Sequence, residues 1–196
     1  ADRLPDMILL HYTGMPEPQG ALEWMCKPES KVSAHYYVFE DGRIVQCVPE
    51  ALRAWHAGDS FWANETDINS CSIGIEIANS GHDHDYPDFP PRQIAAVTAL
   101  CRSITQRRQI PAERVLAHSD VAPGRKKDPG EKFPWRVLHH AGVGYFIEPV
   151  PIVPGPDFVL GDRGDVIASF QHLLADYGYR VPVEGEFDET TRDAVA

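Results

Sequence analysis

Hydrophobic and polar positions change period several times along the chain. Apolar positions run through Met7 to Leu10 and resume at Tyr12, which predicts a buried strand over Met7–Tyr12. Residues 35–39 and 44–48 flank Glu40-Asp41-Gly42-Arg43, and Asp-Gly between two such runs predicts a hairpin. Over residues 72–78 the period is two: Ile73, Ile75 and Ile77 share one face, and Gly74, Glu76 and Ala78 the other. The spacing then lengthens. Ile94, Val97, Leu100, Cys101 and Ile104 predict a helix over residues 91–109, which Pro111 brings to an end. Residues 115–118 read as a short strand running into a loop over 119–135, rich in Pro, Gly and charge. Strands interleaved with helices, one hairpin among them, predict an α/β fold with a mixed central sheet flanked by helices.

The segment Pro149-Val150-Pro151-Ile152-Val153-Pro154-Gly155-Pro156 excludes helix and central strand. It predicts a semi-rigid linker over residues 149–157, between a catalytic domain at 1–148 and a small helical module at 158–196. In the module, Val166, Phe170, Leu173, Leu174 and Tyr177 form one amphipathic helical face, with Gly178 as its stop. A second helix is expected from Asp188, a natural cap. About 40 residues is marginal for an independent core, so the module is expected to be incomplete.

Composition narrows the function. The net charge is −11, from 18 Lys+Arg against 29 Asp+Glu. That balance lacks the basic footprint that nucleic acids and anionic membranes require. No apolar run approaches the roughly 20 residues of a membrane span. Cys26, Cys47, Cys71 and Cys101 form no C-x-x-C pair, and read as buried or half-buried thiols rather than a metal ribbon.

Candidate chemistry lies at strand ends. His11 closes the first apolar strand, and His118 repeats that setting after Val115-Leu116-Ala117. Asp128 follows in a loop bounded by Pro129 and Gly130. Two histidines and one carboxylate suit a catalytic zinc, which keeps a fourth position for water and lowers its pKa. Spacing alone leaves a histidine bonded to backbone as the ordinary alternative. Glu76 interrupts an apolar strand, so it is either solvated on an open face or held near a site as a general base. Lys126 is either a solvated loop lysine or a partner for a developing oxyanion.

Five stretches, taken in order, resemble one family. They are Leu10-His11-Tyr12-Thr13; Val32-Ser33-Ala34-His35-Tyr36 with Asp41-Gly42-Arg43-Ile44-Val45-Gln46; Ala54-Trp55-His56-Ala57-Gly58; Ser72-Ile73-Gly74-Ile75-Glu76; and residues 117–130, from Ala117-His118-Ser119-Asp120 to Asp128-Pro129-Gly130. Together they are similar to the type-2 N-acetylmuramoyl-L-alanine amidases, relatives of phage amidases and peptidoglycan-recognition proteins. The resemblance implies one zinc per chain held by His11, His118 and Asp128. It implies Glu76 as base or proton shuttle and Lys126 at the oxyanion. Trp55 and His56 would line the substrate groove, and His35 would lie near the site without being a ligand. Ser119-Asp120 would fix the loop, by a bond to a ligand. From Val159 onward the chain resembles a small peptidoglycan-binding module, through Gly161-Asp162-Arg163-Gly164, Phe170-Gln171-His172-Leu173-Leu174 and Gly185-Glu186-Phe187-Asp188.

The expected activity is therefore hydrolysis of the amide between N-acetylmuramic acid and L-alanine, in peptidoglycan or muropeptides. The alternatives are a peptidoglycan-recognition protein that binds without cutting, and a wall anchor. Binding-only relatives lose the third ligand, whereas Asp128, Glu76 and Lys126 are all present here. A wall-binding module favours the envelope. Four unpaired thiols and no visible export signal favour the cytoplasm, which is the expectation.

Overall fold

The strands are Met7–Tyr12 (β1), Tyr36–Val38 (β2), Ile44–Gln46 (β3), Ser72–Ile77 (β4) and Val115–Ala117 (β5). The computed structural model describes residues 4–151, 153–155 and 157–195, so Ile152 and Pro156 of the expected linker lie outside the described residues. One sheet runs β3-β2-β4-β1-β5. β1 is parallel to both β4 and β5, β2 is parallel to β4, and β3 closes the edge antiparallel to β2. The hairpin between β2 and β3 turns at Gly42, whose φ of 87° is the left-handed conformation that favours glycine. The helices are Pro18–Met25 (α1), Ile68–Cys71 (α2), Pro91–Arg108 (α3), His118–Val121 (α4), Trp135–His140 (α5), Asp165–Tyr177 (α6) and Glu189–Val195 (α7). This is the mixed sheet flanked by helices that the patterning predicts.

Alternation along β1 decides where the site lies. Ile8 and Leu10 pack with Ile73, Ile75 and Ile77 of β4 and with Ile94, Val97, Cys101 and Ile104 of α3. Met7 and Leu9 face the other way, onto Ala57, Trp62 and Ile68. Each aliphatic side chain buried this way stabilises the sheet by about 1.5–3 kcal/mol, so the central strands are firmly anchored. His11 continues the Met7–Leu9 face. The parallel register sets Leu9 beside Gly74 and His11 beside Glu76. β5 runs parallel to β1, so both strands deliver their following residues to the same carboxyl end of the sheet, the usual place for sites in parallel α/β folds.

Two local expectations need correction, and three short helices go unpredicted. β5 stops at Ala117 and His118 begins α4, because the Asp120 carboxylate accepts the Ala117 N–H at 2.7 Å and turns the chain into a helix. The short helices α1, α2 and α5 carry too few turns to show a periodicity, and none is predicted. In α6 the expected apolar face is not the buried one: Val166, Leu173 and Tyr177 are exposed, whereas Ile167 and Gln171 are buried. The Gln171 amide decides this orientation. It accepts the N–H of Glu184 and Gly185, and donates to the Glu186 carbonyl and to Thr191 Oγ1. Those bonds satisfy a turn that would otherwise leave backbone groups unpaired.

The C-terminal residues dock on the sheet-bearing part around Trp62. Trp62, 3% exposed, meets Tyr177 and Tyr179 edge-on at ring separations of 5.5 and 5.0 Å. Ala63 N–H donates to the Gly178 carbonyl at 2.9 Å. Trp62→Ala is expected to cost about 3–5 kcal/mol, the usual range for emptying a buried aromatic site. Chemical denaturation followed by tyrosine fluorescence and circular dichroism checks it; a loss under 1 kcal/mol would show that the contact is not part of the core.

Candidate active site

Three of the expected residues converge. His118 Nδ1 lies 2.9 Å from Asp128 Oδ2, His11 Nδ1 lies 3.1 Å from the same oxygen, and the two Nδ1 atoms are 2.9 Å apart. All three residues are buried. The Asp128 loop is held by backbone: Ser119 N–H donates to the Asp128 carbonyl at 3.0 Å, and the Tyr86 hydroxyl to the Pro129 carbonyl at 2.7 Å. A second tie joins the two ligand segments, since His82 bridges the Tyr12 hydroxyl at 2.9 Å and Glu131 at 3.0 Å.

The donor set fits a metal ion. His118 Nε2 lies 3.0 Å from the carbonyl oxygen of Ala57, which accepts only, so that nitrogen carries the proton. In the neutral ring that a metal ligand requires, Nδ1 is then a lone pair aimed at a carboxylate oxygen. Two acceptors at 2.9 Å are reconciled by a cation between them. Tetrahedral zinc with bonds of about 2.0–2.2 Å sets its donors roughly 3.3 Å apart, close to the spacing here. Burial first, and then the neighbouring His118, push the His11 imidazole down to about 4, so it is neutral at pH 7 as a ligand must be.

Glu76 is half-buried at the strand end. Its Oε2 is enclosed and has no hydrogen-bond partner. Burial, then the negative charge of Asp128, raise its pKa well above the ordinary 4.5, while Lys126 opposes the shift. A buried polar atom left unsatisfied costs stability, and such atoms concentrate where function requires them. Lys126 itself is exposed.

The remaining expected residues separate. His35 is buried and structural: Gly74 N–H donates to its Nδ1 at 3.0 Å, and its Nε2 donates to the Leu52 carbonyl at 3.0 Å. Trp55 is 60% exposed and lines a cleft of about 470 Å³ with Lys27, Lys31 and Val32. His56, expected beside it in the groove, is buried, with Nδ1 at 3.0 Å from His11 Nε2. A larger cleft of about 980 Å³ includes Lys126, Tyr145 and Tyr177 but none of His11, Glu76, His118 or Asp128. Sequence reasoning misses the supports: the Ala57 carbonyl, Asn69, and Ser72. Nothing in a sequence marks a carbonyl as a partner, although the stretch Ala54-Trp55-His56-Ala57-Gly58 contains one of them.

Gly74 has no room for a side chain. A Cβ there would stand 2.5 Å from the His56 ring. Gly74→Ala is expected to lower stability by about 1–3 kcal/mol, the range for overpacking. Thermal unfolding measures it, and an unchanged midpoint would mean that the ring is free to move.

The family profile described as N-acetylmuramoyl-L-alanine amidase matches residues 1–131. This chain belongs to that family. Among its members, the amidase AmiD of Escherichia coli is 37% identical over 191 residues, covering 89% of this chain and 67% of AmiD. The 1,6-anhydro-N-acetylmuramyl-L-alanine amidase AmpD of the same organism is 40% identical over 125 residues, 63% of this chain and 66% of AmpD. The chain thus spans about two thirds of the length of either amidase. The solved complex of AmiD with anhydro-N-acetylmuramic acid-L-Ala-D-gamma-Glu-L-Lys superposes with a TM-score of 0.75 at 35% identity, over 91% of this chain and 73% of that one. AmpDh3 of Pseudomonas aeruginosa, solved with an anhydromuramic pentapeptide, gives a TM-score of 0.71 at 31% identity, over 91% of this chain and 75% of that one.

Proposed function

We propose that this amidase hydrolyses the bond between the lactyl group of N-acetylmuramic acid and L-alanine, with one zinc ion held by His11, His118 and Asp128. The observation that carries the proposal is the converging His-His-Asp set with the enclosed, unpartnered Oε2 of Glu76 on the neighbouring strand. Zinc bound there would polarise the amide carbonyl and acidify water at neutral pH. Glu76, with its raised pKa, takes a proton from the attacking water and passes it to the alanine nitrogen as the C–N bond breaks. The Lys126 ammonium faces the negative charge that develops on the carbonyl oxygen. Exposed Trp55 offers an apolar face to the substrate. We keep the division of the chain into an amidase domain at 1–148, a linker at 149–157 and a peptidoglycan-binding module at 158–196.

The anhydro-muramyl ligands of AmiD and AmpDh3 support soluble anhydro-muropeptides as substrates, and hence a role in cell-wall recycling. Mass spectrometry of the products tests this: an anhydro-muramyl tripeptide is expected to give the free sugar and a peptide with a new L-alanine N-terminus. Binding without either product would replace the amidase by a recognition protein. Turnover of intact sacculi faster than of the soluble compound would move its work from the cytoplasm to the envelope. Among the described residues, no helix is long and apolar enough to cross a membrane.

A further inference from the structure

His56 is enclosed by His11, Ser72 and Gly74, and its two ring nitrogens meet different neighbours. Nδ1 lies 3.0 Å from His11 Nε2, and Nε2 lies 3.4 Å from Ser72 Oγ. The Ser72 hydroxyl donates to the Ile68 carbonyl at 2.6 Å. Its proton is therefore engaged, and its oxygen is left to accept. One arrangement of protons then satisfies every atom of the line. His56 carries its proton on Nε2 and donates to Ser72, which leaves Nδ1 a bare acceptor. His11 donates to that acceptor from Nε2, which leaves the His11 Nδ1 lone pair facing Asp128 and His118.

We infer that His56 is a positioning residue for the metal ligand His11: through Ser72 and the Ile68 carbonyl it fixes His11 as the Nε2–H tautomer, leaving Nδ1 for the ion. The neighbouring residue treats the second imidazole alike, since the Ala57 carbonyl accepts from His118 Nε2 at 3.0 Å. The same short segment is itself pinned, because Asn69 Oδ1 accepts the N–H groups of both His56 and Ala57 at 2.9 Å. So His56 and Ala57 orient both imidazoles from behind, and the His56 ring itself is buried. Partners of this kind typically change metal affinity by 10–100-fold. The consequence for affinity rests on the zinc reading above, whereas the tautomer is a property of the metal-free protein.

Two measurements test this together: imidazole nitrogen NMR shifts of the metal-free protein, and zinc affinity by competition with a chelator. In the unaltered protein His11 is expected as the Nε2–H tautomer. His56→Leu removes the acceptor, so the other tautomer should gain and zinc affinity should fall about 10–100-fold. His56→Asn places an amide oxygen near the Nδ1 position and should recover most of that loss. KM for a soluble muropeptide should stay unchanged in His56→Asn. A raised KM with undiminished zinc affinity would overturn the inference in favour of substrate contact. Should His56→Leu fail to fold, Ser72→Ala removes only the far acceptor; zinc affinity should drop about three- to ten-fold, and an unchanged affinity and tautomer would overturn the chain. An unaltered protein that binds no zinc yet holds His11 as Nε2–H sinks the zinc amidase, and with it the role in metal binding, and leaves only the orientation of His11 by His56 standing. Zinc binding with mixed His11 tautomers overturns this inference alone.

Discussion

Asp128→Ala is expected to give a folded protein that retains no zinc and releases no peptide from a muramoyl-L-alanyl substrate. Its carboxylate is the only anion among the three converging side chains, with Oδ2 at 2.9 and 3.1 Å from the two imidazole nitrogens. Two imidazoles alone make a poor site, because a catalytic zinc ordinarily has three protein ligands. The fold should survive. The loop is held by the Asp128 and Pro129 carbonyls, not by the carboxylate. Asp128→Cys, which supplies a thiolate, is the control and should recover metal. Metal analysis and circular dichroism of both variants decide the point. Full zinc occupancy in Asp128→Ala would remove Asp128 from the ligand set.

Glu76→Ala is expected to keep its zinc and lose turnover by about two to four orders of magnitude, the usual contribution of a general base. Near-normal turnover would demote Glu76 to a passenger beside the site. Stability should move the other way. The Glu76 pKa is raised above the ordinary 4.5, so its contribution is fully present below that pH and is lost as pH rises through the folded-state value. Glu76→Gln removes this dependence. The metal-free variant should therefore be more stable than the parent at pH 7 by about 1–3 kcal/mol, the cost of enclosing a carboxyl at a pH where the unfolded chain ionises it. The difference should vanish below about pH 4.5. Paired melting curves across pH measure it, and a variant no more stable at pH 7 would mean that the carboxylate finds water or a partner.

Legibility in the sequence follows the range of the forces involved. β1, β4 and α3 are legible because alternation and helical spacing are local, and the hairpin is legible because Asp41-Gly42 dictates its own turn. The start of α4 at His118 is not, since it depends on a side chain two residues further on capping the backbone behind it. The buried face of α6 is not, since hydropathy ranks Gln171 as a surface residue, and only the turn at residues 184–186 makes its burial favourable. In the site, His11, Glu76, His118 and Asp128 stand out because charged or metal-binding types interrupt apolar strands or follow them. What holds them is harder to read: a carbonyl at Ala57, an amide at Asn69 and a hydroxyl at Ser72 come together only once β1, β4 and β5 pair. His56 shows the limit most clearly. Its neighbour Trp55 faces solvent while His56 itself faces His11, and the chain turns between them without any signal in composition.

The central claim is that the His11, His118 and Asp128 cluster holds a zinc ion that amide cleavage requires. Zinc content measured together with peptide release from a muramoyl-L-alanyl peptide tests it most directly, before and after chelation and after zinc is returned. About one zinc per chain, with cleavage abolished by the chelator and restored by the metal, is the expected result. Cleavage that continues at full rate in protein stripped of metal would contradict it.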